Sequence, residues 1–322
     1  MTALKLIPKA IAQLSKLYDA FNEKSKEFDD VIKMGRTQMQ DAVPIRLGQE
    51  FKAYSSVIKR DILRLEKAKE ELKVVNMGGT AIGTGMNADI QYFNKIVPNI
   101  SKISNIELKQ AVDLVDATQN LDGFVVVSGV IKACAVNLSK IANDLRLMSS
   151  GPRTGFGEIN LPSKQNGSSM MPGKVNPVIP EVISQIAFNI IGNDITITMA
   201  AEAGQLELNA FEPVIFYKLF QSIETLTNGV NTFVINCVSG ITANREICKE
   251  LVENSVGIIT AICPHIGYKK AAEIAKTALK TRKSVRELIL KDGILSENEL
   301  NDILDIELMT KPGILAKELM VG

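Results

Sequence analysis

Apolar residues recur every three to four positions over most of this 322-residue chain, a spacing that places them on one face of an α-helix. Polar and charged residues occupy positions between them. The pattern predicts long amphipathic helices over residues 7–32, 49–75, 109–148, from 177 onward and 213–238. The third segment is poor in charge on two faces, which indicates a helix buried among other helices.

The pattern changes character near residue 244. Alternation with a period of two is brief, and no Asn-Gly or Asp-Gly pair joins two alternating segments, so few strands are predicted. After residue 244 the helical segments shorten, charges become denser, and prolines and glycines interrupt them. We therefore predict an all-α fold with a long central helix bundle over residues 1–245 and a small C-terminal helical domain over 246–322.

Charge and cysteine content narrow the classes of function. Lys and Arg total 37 against 36 for Asp and Glu, so the net charge of +1 does not favour binding to nucleic acid or to an anionic membrane. The four cysteines form no C-x-x-C pair and no signal peptide is recognisable, which predicts a cytoplasmic protein with reduced thiols. The most apolar stretch, residues 123–131, is shorter than the ~20 residues of a membrane span. His265 is the only histidine, so no metal site that needs two histidines is expected within one chain.

The longest loop signal covers residues 149–176 and leads into G-S-S-M-M-P-G-K-V-N-P at positions 167–177. Glycines flank two hydroxyl groups, and Lys174 follows the first serine by six positions. Asn176 and Pro177 are typical of the N-cap and first residue of a helix, where the dipole and free N–H groups favour an anion. These residues fit an oxyanion or carboxylate site, and they also fit a surface linker with a solvated lysine.

The eleven residues 167–177 as a whole closely resemble the signature loop of the aspartase/fumarase superfamily. Three segments support the resemblance: K-M-G-R-T-Q-M-Q-D-A-V-P at 33–44, T-A-I-G-T-G-M-N at 80–87 and I-A-N-D-L-R at 141–146. Within the superfamily, Gln38 and E-A-G-Q-L-E-L-N at 202–209 are similar to aspartate ammonia-lyases. Class II fumarases usually have histidine at the position of Gln38.

The resemblance implies reversible anti-elimination of ammonia from L-aspartate to give fumarate, without a cofactor. It implies that Ser168, as its oxyanion, is the catalytic base, and that Lys174 and N–H groups of the loop stabilise the ionised hydroxyl. Lys174 and Asn176 would also hold a substrate carboxylate by charge and by amide hydrogen bonds. The substrate-contact positions that the resemblance implies are Thr37, Gln38, Ser169, Lys174 and Asn176.

The resemblance also implies a homotetramer around a shared helical core, with active sites between subunits. Family members begin with an additional N-terminal domain and a Thr/Ser/Asn-rich loop that binds the substrate carboxylate, and this chain has no counterpart of either. We therefore expect weak activity, or none, from the chain alone. Two alternatives stay open: a class II fumarase, and a catalytically inactive helical oligomerisation fragment.

Three further signals favour structural roles. The segment 83–88 fits G-x-G-x-x-A, but no strand is predicted before it, so we interpret it as a loop of the bundle and not as a dinucleotide site. Glu181, one turn into the helix after the signature loop, fits either a structural carboxylate or a group that orients a substrate contact. His265 is expected to be a structural histidine of the C-terminal domain.

Overall fold

The chain is mostly helical, as the sequence predicts. The computed structural model describes residues 1–165, 167, 170–305 and 307–319. Within these residues the α-helices are α1 (Thr2–Glu27), α2 (Leu47–Ala68), α3 (Ile90–Ser104), α4 (Asp116–Gln119), α5 (Asp122–Met148), α6 (Val178–Glu202), α7 (Glu212–Asn236), α8 (Arg245–Asn254), α9 (Ile259–Ile266), α10 (Tyr268–Thr281), α11 (Val285–Lys291) and α12 (Glu297–Ile303).

The described strands are short and form three two-stranded sheets. The strands are β1 (Ile32–Thr37), β2 (Gln40–Arg46), β3 (Val74–Val75), β4 (Lys109–Gln110), β5 (Ile159–Asn160) and β6 (Thr242–Ala243). The pairs β1–β2 and β5–β6 are antiparallel, whereas β3–β4 is parallel. We refer to residues 32–46, which contain β1, β2 and the turn between them, as the hairpin.

Three of the predicted helices are too long. The first ends at Glu27, and Ile32, which continues its apolar pattern, belongs to β1. The second, predicted over 49–75, ends at Ala68, and a 3₁₀-helix (Lys69–Lys73) and β3 follow it. The third begins at Asp122 and not near residue 109, because residues 109–121 form β4, a turn and the four-residue helix α4. In the first and third cases a short non-helical element carries apolar residues in helical phase with its neighbour, so periodicity alone does not find the boundary.

Contacts between Cα atoms group the chain into two compact units. The first unit comprises Met1–Phe21, Tyr54–Leu147 and Leu161–Gly240, and the second comprises Asn22–Ala53, Met148–Asn160 and Ile241–Gly322. Each unit is therefore built from three separate segments of the chain. The division into domains at residues 245 and 246 stays a prediction.

The first unit has an aliphatic core between long helices. Helices α6 and α7 pack along their lengths and bury Ile183, Ile190, Ile215 and Leu226, with Phe21 reaching within 6.2 Å of Phe233 between ring centroids. Helix α5 meets the length and apolarity of a membrane-crossing helix, as core helices of soluble proteins also do. Its polar side chains bond within the unit: Ser128 and Lys132 both reach the buried carboxylate of Asp194.

The second unit packs the hairpin against the C-terminal helices. Met34 of β1 is fully buried in the same core as Val252, Ile262, Leu288 and Ile303. A residue of an N-terminal strand therefore belongs to the core of helices that lie more than 200 residues later in the chain. This packing fixes one side of β1.

The G-x-G segment lies in a minimal β-α-β arrangement, which corrects the prediction that no strand precedes it. The two-residue strand β3 pairs in parallel with β4, and α3 connects them. The glycines Gly83 and Gly85 lie in the long loop before α3 and not at its first turn. Asp89 caps α3 with its carboxylate, which accepts from the N–H groups of Gln91 and Tyr92. A carboxylate at the helix start disfavours a phosphate there.

Candidate active site

The turn of the hairpin presents two of the predicted substrate-contact residues. Thr37 and Gln38 are exposed at the tip, where Thr37 pairs with Gln40 across the turn. Gln38 and Met39 both have positive φ, at 53° and 64°. Positive φ at both central residues is the condition of a type I′ hairpin turn, which normally carries Asn-Gly or Asp-Gly. The sequence does not predict this hairpin, because Gln-Met gives no such signal.

The base of the hairpin contains an ionic cluster, which we define as Lys33, Arg36, Glu50 and Glu158. The Lys33 Nζ lies 3.1 Å from Glu50 Oε2 and 3.0 Å from Glu158 Oε2. The Arg36 Nη1 lies 2.7 Å from Glu158 Oε1, and its guanidinium lies over the Phe156 ring at 4.1 Å from the centroid. The side chain of Lys33 is 3% exposed and that of Glu158 is 0% exposed. Two positive and two negative groups thus compensate each other in a mostly buried place.

The main chain around Glu158 is also held on both sides. Its N–H donates to Met148 O at 2.8 Å, and its C=O accepts from Asn244 N at 2.9 Å. The Cys248 thiol lies 3.6 Å from the same carbonyl oxygen, and burial raises the pKa of this thiol to about 12. The main chain to which the Glu158 carboxylate is attached is therefore held in place.

We refer to residues 161–177, which contain the signature segment 167–177, as the signature loop; its main chain approaches itself closely at Gly167 and Lys174. A Cβ at Gly167 would lie 2.9 Å from Lys174 O, so the main chain approaches itself there more closely than any other residue type allows. Between these points Lys174 N donates to Met171 O at 3.2 Å across a turn with Pro172 and Gly173 at its centre, and Gly173 has φ +82°. Proline followed by glycine at positive φ is typical of a type II turn. The loop is therefore shaped by its own backbone.

Helix α6 begins one residue later than predicted. Pro177, not Asn176, occupies the N-cap, and it makes no side-chain capping bond. The reason is Pro180: with the helix starting at Val178, Pro180 is its third residue, where a missing N–H leaves no helical bond unmade. The N–H groups of Val178 and Glu181 donate to Asn176 O and Pro177 O. This helix end therefore offers fewer free N–H groups to an anion than the sequence suggests.

The predicted site residues fall into two sets, each described within its own unit. Thr37 and Gln38 belong to the second unit, and the exposed Lys174 and the half-buried Asn176 belong to the first. Ser168 and Ser169 lie outside the described residues. Glu181 Oε1 lies 3.8 Å from Arg146 Nη2, so the Glu181 carboxylate has an ion-pair partner within the unit. His265 binds Leu315 O through Nε2 at 3.0 Å.

Comparison with known proteins finds a match along nearly the whole chain. Residues 2–192 match the family described as Lyase, and residues 258–311 match the family described as Fumarase C C-terminus. The aspartate ammonia-lyase of Bacillus subtilis is 54% identical over 320 residues, which are 99% of this chain and 67% of that protein. Other aspartate ammonia-lyases, including that of Escherichia coli, match at 47–53% identity.

The chain belongs to the aspartate ammonia-lyase family, within the aspartase/fumarase superfamily. Two solved structures support the assignment at the level of the fold. The cobalt-bound fumarate lyase:delta crystallin of Brucella melitensis is 49% identical, with a TM-score of 0.93 over 96% of this chain and 67% of that one. The class II fumarase of Schistosoma mansoni is 32% identical, with a TM-score of 0.90 over 96% of this chain and 69% of that one.

Membership of the aspartate ammonia-lyase family confirms the predicted class of carbon–nitrogen lyase and does not favour the fumarase or the inactive fragment. The chain spans about two thirds of the length of the relatives it matches. Among the described residues no group of three or more His, Cys, Asp or Glu side chains is arranged to hold a metal ion.

The sequence does not predict the ionic cluster. Lys33 and Arg36 lie within a segment that carries the family resemblance, yet their partner Glu158 is more than 120 residues away. Buried ionic side chains look like ordinary surface charges in a sequence. The available signal was the spacing of two basic residues in an otherwise apolar strand, and it does not name the partner.

Proposed function

We propose that this chain catalyses the reversible anti-elimination of ammonia from L-aspartate to give fumarate. The observation that carries the proposal is the close approach of Gly167 to Lys174 O in the signature loop of a family member. The chemistry needs no cofactor. The difficulty is the weakly acidic Cβ proton, whose removal places negative charge on the neighbouring carboxylate.

In the proposed mechanism the ionised hydroxyl of Ser168 takes the Cβ proton. The electron pair moves into the adjacent carboxylate, and as it returns the C=C bond forms, the C–N bond breaks and ammonia leaves. A serine hydroxyl is a weak base unless its anion is stabilised. The positive charge of Lys174, six residues further along the loop, supplies that stabilisation in the proposal.

The proposal gives substrate contacts to Thr37 and Gln38 on the hairpin and to Ser169, Lys174 and Asn176 on the signature loop. Positive φ at a residue other than glycine costs about 1–2 kcal/mol and concentrates at functional positions. The left-handed conformation of Gln38 supports its role for this reason. Lys174 and Asn176 carry the donors that a carboxylate requires: a point charge and a directional amide.

The experiment is a direct assay of the purified chain. Slow fumarate formation from L-aspartate, followed by its ultraviolet absorbance and matched by released ammonia, is the expected result, whereas L-malate should give no fumarate. Conversion of malate without conversion of aspartate would contradict the proposal. Ser163→Ala, which removes an exposed hydroxyl of the same loop, is the matched control for Ser168→Ala and should keep full activity.

We further propose a cytoplasmic homotetramer whose subunits meet along α6. Phe188, Ile195 and Met199 are each about 60% exposed and lie four or seven residues apart, on one face of this helix. We refer to these three residues as the α6 stripe. A continuous apolar face of a long helix is typical of a subunit interface in an obligate oligomer.

Light scattering tests the assembly. We expect the native chain to have four times the monomer mass at micromolar concentration. Phe188→Glu should dissociate it, because a charge would be buried at the interface without a partner. Lys218→Glu, a charge change on the surface of α7, is the control and should leave the mass unchanged. A wild-type monomer would contradict the proposal.

A further inference from the structure

We infer that Glu158 is a positioning residue for the proposed reaction: through Lys33 and Arg36 it fixes the hairpin turn that carries Thr37 and Gln38. The inference rests on the proposed function, because it assigns a purpose to the orientation of that turn. Glu158 itself touches the base of the hairpin and not its tip, so its role is separate from substrate contact.

The geometry of β1 departs from that of a regular strand. In a regular strand, residues three apart point to opposite faces of the sheet. Lys33 and Arg36 are three apart on β1, yet both reach the two oxygens of one carboxylate, at 3.0 and 2.7 Å. The pairing register shifts between Met34 and Arg36, so that two residues of β2, Ala42 and Val43, lie opposite Gly35 alone.

The register shift depends on a glycine. A Cβ at Gly35 would lie 2.6 Å from Val43 O, too close for any side chain without a shift of the main chain. The irregularity of the hairpin, the missing side chain at Gly35 and the shared carboxylate therefore occur at the same place. A strand distortion next to a functional segment commonly redirects a side chain.

The main chain that carries the Glu158 carboxylate is held by hydrogen bonds. The main chain of Glu158 is bonded to Met148 O on one side and to Asn244 N on the other. The Asn244 side chain also donates to Gly157 O at 2.6 Å. Glu158 thus connects the hairpin to a segment held by bonds at both of its main-chain polar groups, and Arg36 is adjacent in sequence to Thr37.

Buried ions are a costly way to hold two elements together. Apolar residues of similar volume usually give equal or greater stability than a buried ion pair. Apolar contacts, however, do not fix direction, whereas an arginine that bonds a carboxylate and lies over an aromatic ring is restrained in position and in angle. The cluster therefore supplies orientation more than stability.

The test compares three variants with the wild-type chain. Glu158→Gln removes the charge at nearly constant shape. Glu158→Gln combined with Arg36→Met also removes the guanidinium that Glu158→Gln leaves without its carboxylate partner, and it leaves Lys33 paired with Glu50. Glu287→Gln is the matched control: it makes the same change in an exposed ion pair with Lys283 in the second unit.

We expect Glu158→Gln to melt at a lower temperature and to lose about 100-fold in kcat/KM for L-aspartate, the scale of a small misplacement of a binding group. The double variant should regain most of the melting temperature without regaining activity. Amide hydrogen exchange over residues 36–42 should be about tenfold faster in both. Glu287→Gln should match the wild type in all three measurements.

A purely structural role makes the opposite prediction for the double variant. If activity per folded molecule returns together with the melting temperature, or if exchange over residues 36–42 stays at the wild-type rate, the inference is overturned. If the wild-type chain converts no aspartate, the proposed function fails. Hydrogen exchange then decides the positioning inference by itself, because it needs no substrate.

Discussion

The hairpin and the signature loop both present exposed polar side chains, but different forces hold them. The hairpin is held by side chains: Met34 lies in an apolar core on one side, and the ionic cluster reaches residues more than 120 positions away on the other. The signature loop is held by its backbone, through the contact of Gly167 with Lys174 and a turn at Pro172-Gly173. Local chain chemistry shapes one element, and distant partners shape the other.

The difference predicts where mutations act. Changes in the signature loop should affect catalysis and leave stability nearly unchanged, because its described side chains from Ser163 to Val175 are exposed. Changes at the base of the hairpin should affect both catalysis and stability, because they leave a buried charge without its partner.

The largest expected effect is at Ser168. Ser168→Ala should lower kcat by about 100- to 10,000-fold, the usual contribution of a general base. The melting temperature should not move, because the change removes only a hydroxyl. Steady-state kinetics and thermal melting measure the two quantities. Retained turnover would remove Ser168 from the mechanism, and a large loss of stability would break the contrast between loop and hairpin.

The next effect is on stability, at the base of the hairpin. Lys33→Met should cost about 3–5 kcal/mol in the free energy of unfolding, because it leaves the fully buried Glu158 with one cation in place of two. Urea denaturation measures it. Lys283→Met, which removes an exposed ion pair on α11, is the control and should cost about 0.5 kcal/mol or less. Equal costs at the two positions would contradict the importance of burial.

A glycine of the loop tests the backbone side of the contrast. Gly167→Ala should lower kcat/KM about tenfold, because the new Cβ would lie 2.9 Å from Lys174 O and would push the main chain at residues 167 and 174 apart. The free energy of unfolding should change by less than about 1 kcal/mol. Gly129→Ala on α5, where no atom lies within 4 Å of the new Cβ, is the control. A variant that unfolds would show that the loop is coupled to the core.

A smaller effect is expected at the hairpin tip. Met39→Gly should raise the free energy of unfolding by about 0.5–1 kcal/mol, since glycine adopts φ near +64° without the cost paid by other residues. Activity should be unchanged, because Met39 has no proposed contact with substrate. Chemical denaturation and a standard assay check both points. Destabilisation by glycine would mean that the methionine side chain packs in a way that outweighs the backbone strain.

The smallest effect is a labelling rate. Burial raises the pKa of Cys248 to about 12, so at pH 8 its thiol is protonated as well as covered, and iodoacetamide should not alkylate it in the native chain. The partly exposed Cys263 should react first. Mass spectrometry of digests separates the two. Glu158→Gln should speed labelling of Cys248, and if it does not, the base of the hairpin stays closed without the ionic cluster.

The same contrast explains how far the sequence could predict the molecule. The long helices and the signature loop are encoded locally, by apolar spacing and by the G-S-S-M-M-P-G-K segment, and both were predicted. The start of α6 was misplaced by one residue, because the effect of Pro180 on the helix start was not weighed against that of Asn176 and Pro177.

The hairpin was missed for two physical reasons. Its turn uses Gln38 and Met39 at positive φ, where glycine and asparagine are the usual signal. Its apolar residues also continue the phase of α1, so Ile32 counts equally well as helical. Glu158, the partner of Lys33 and Arg36, lies more than 120 residues later in the sequence. No pattern within one chain identifies such a pair.

The left-handed conformation at position 38 has a consequence for how this fold can be redesigned. Branched side chains such as valine, isoleucine and threonine are poorly tolerated at φ +53°, whereas Asn, Asp and His are enriched there. The backbone conformation therefore limits which amino acids can be placed at the tip, whatever their chemistry. A library that seeks new substrates at this position needs only a handful of amino acids, and its size is decided by the turn.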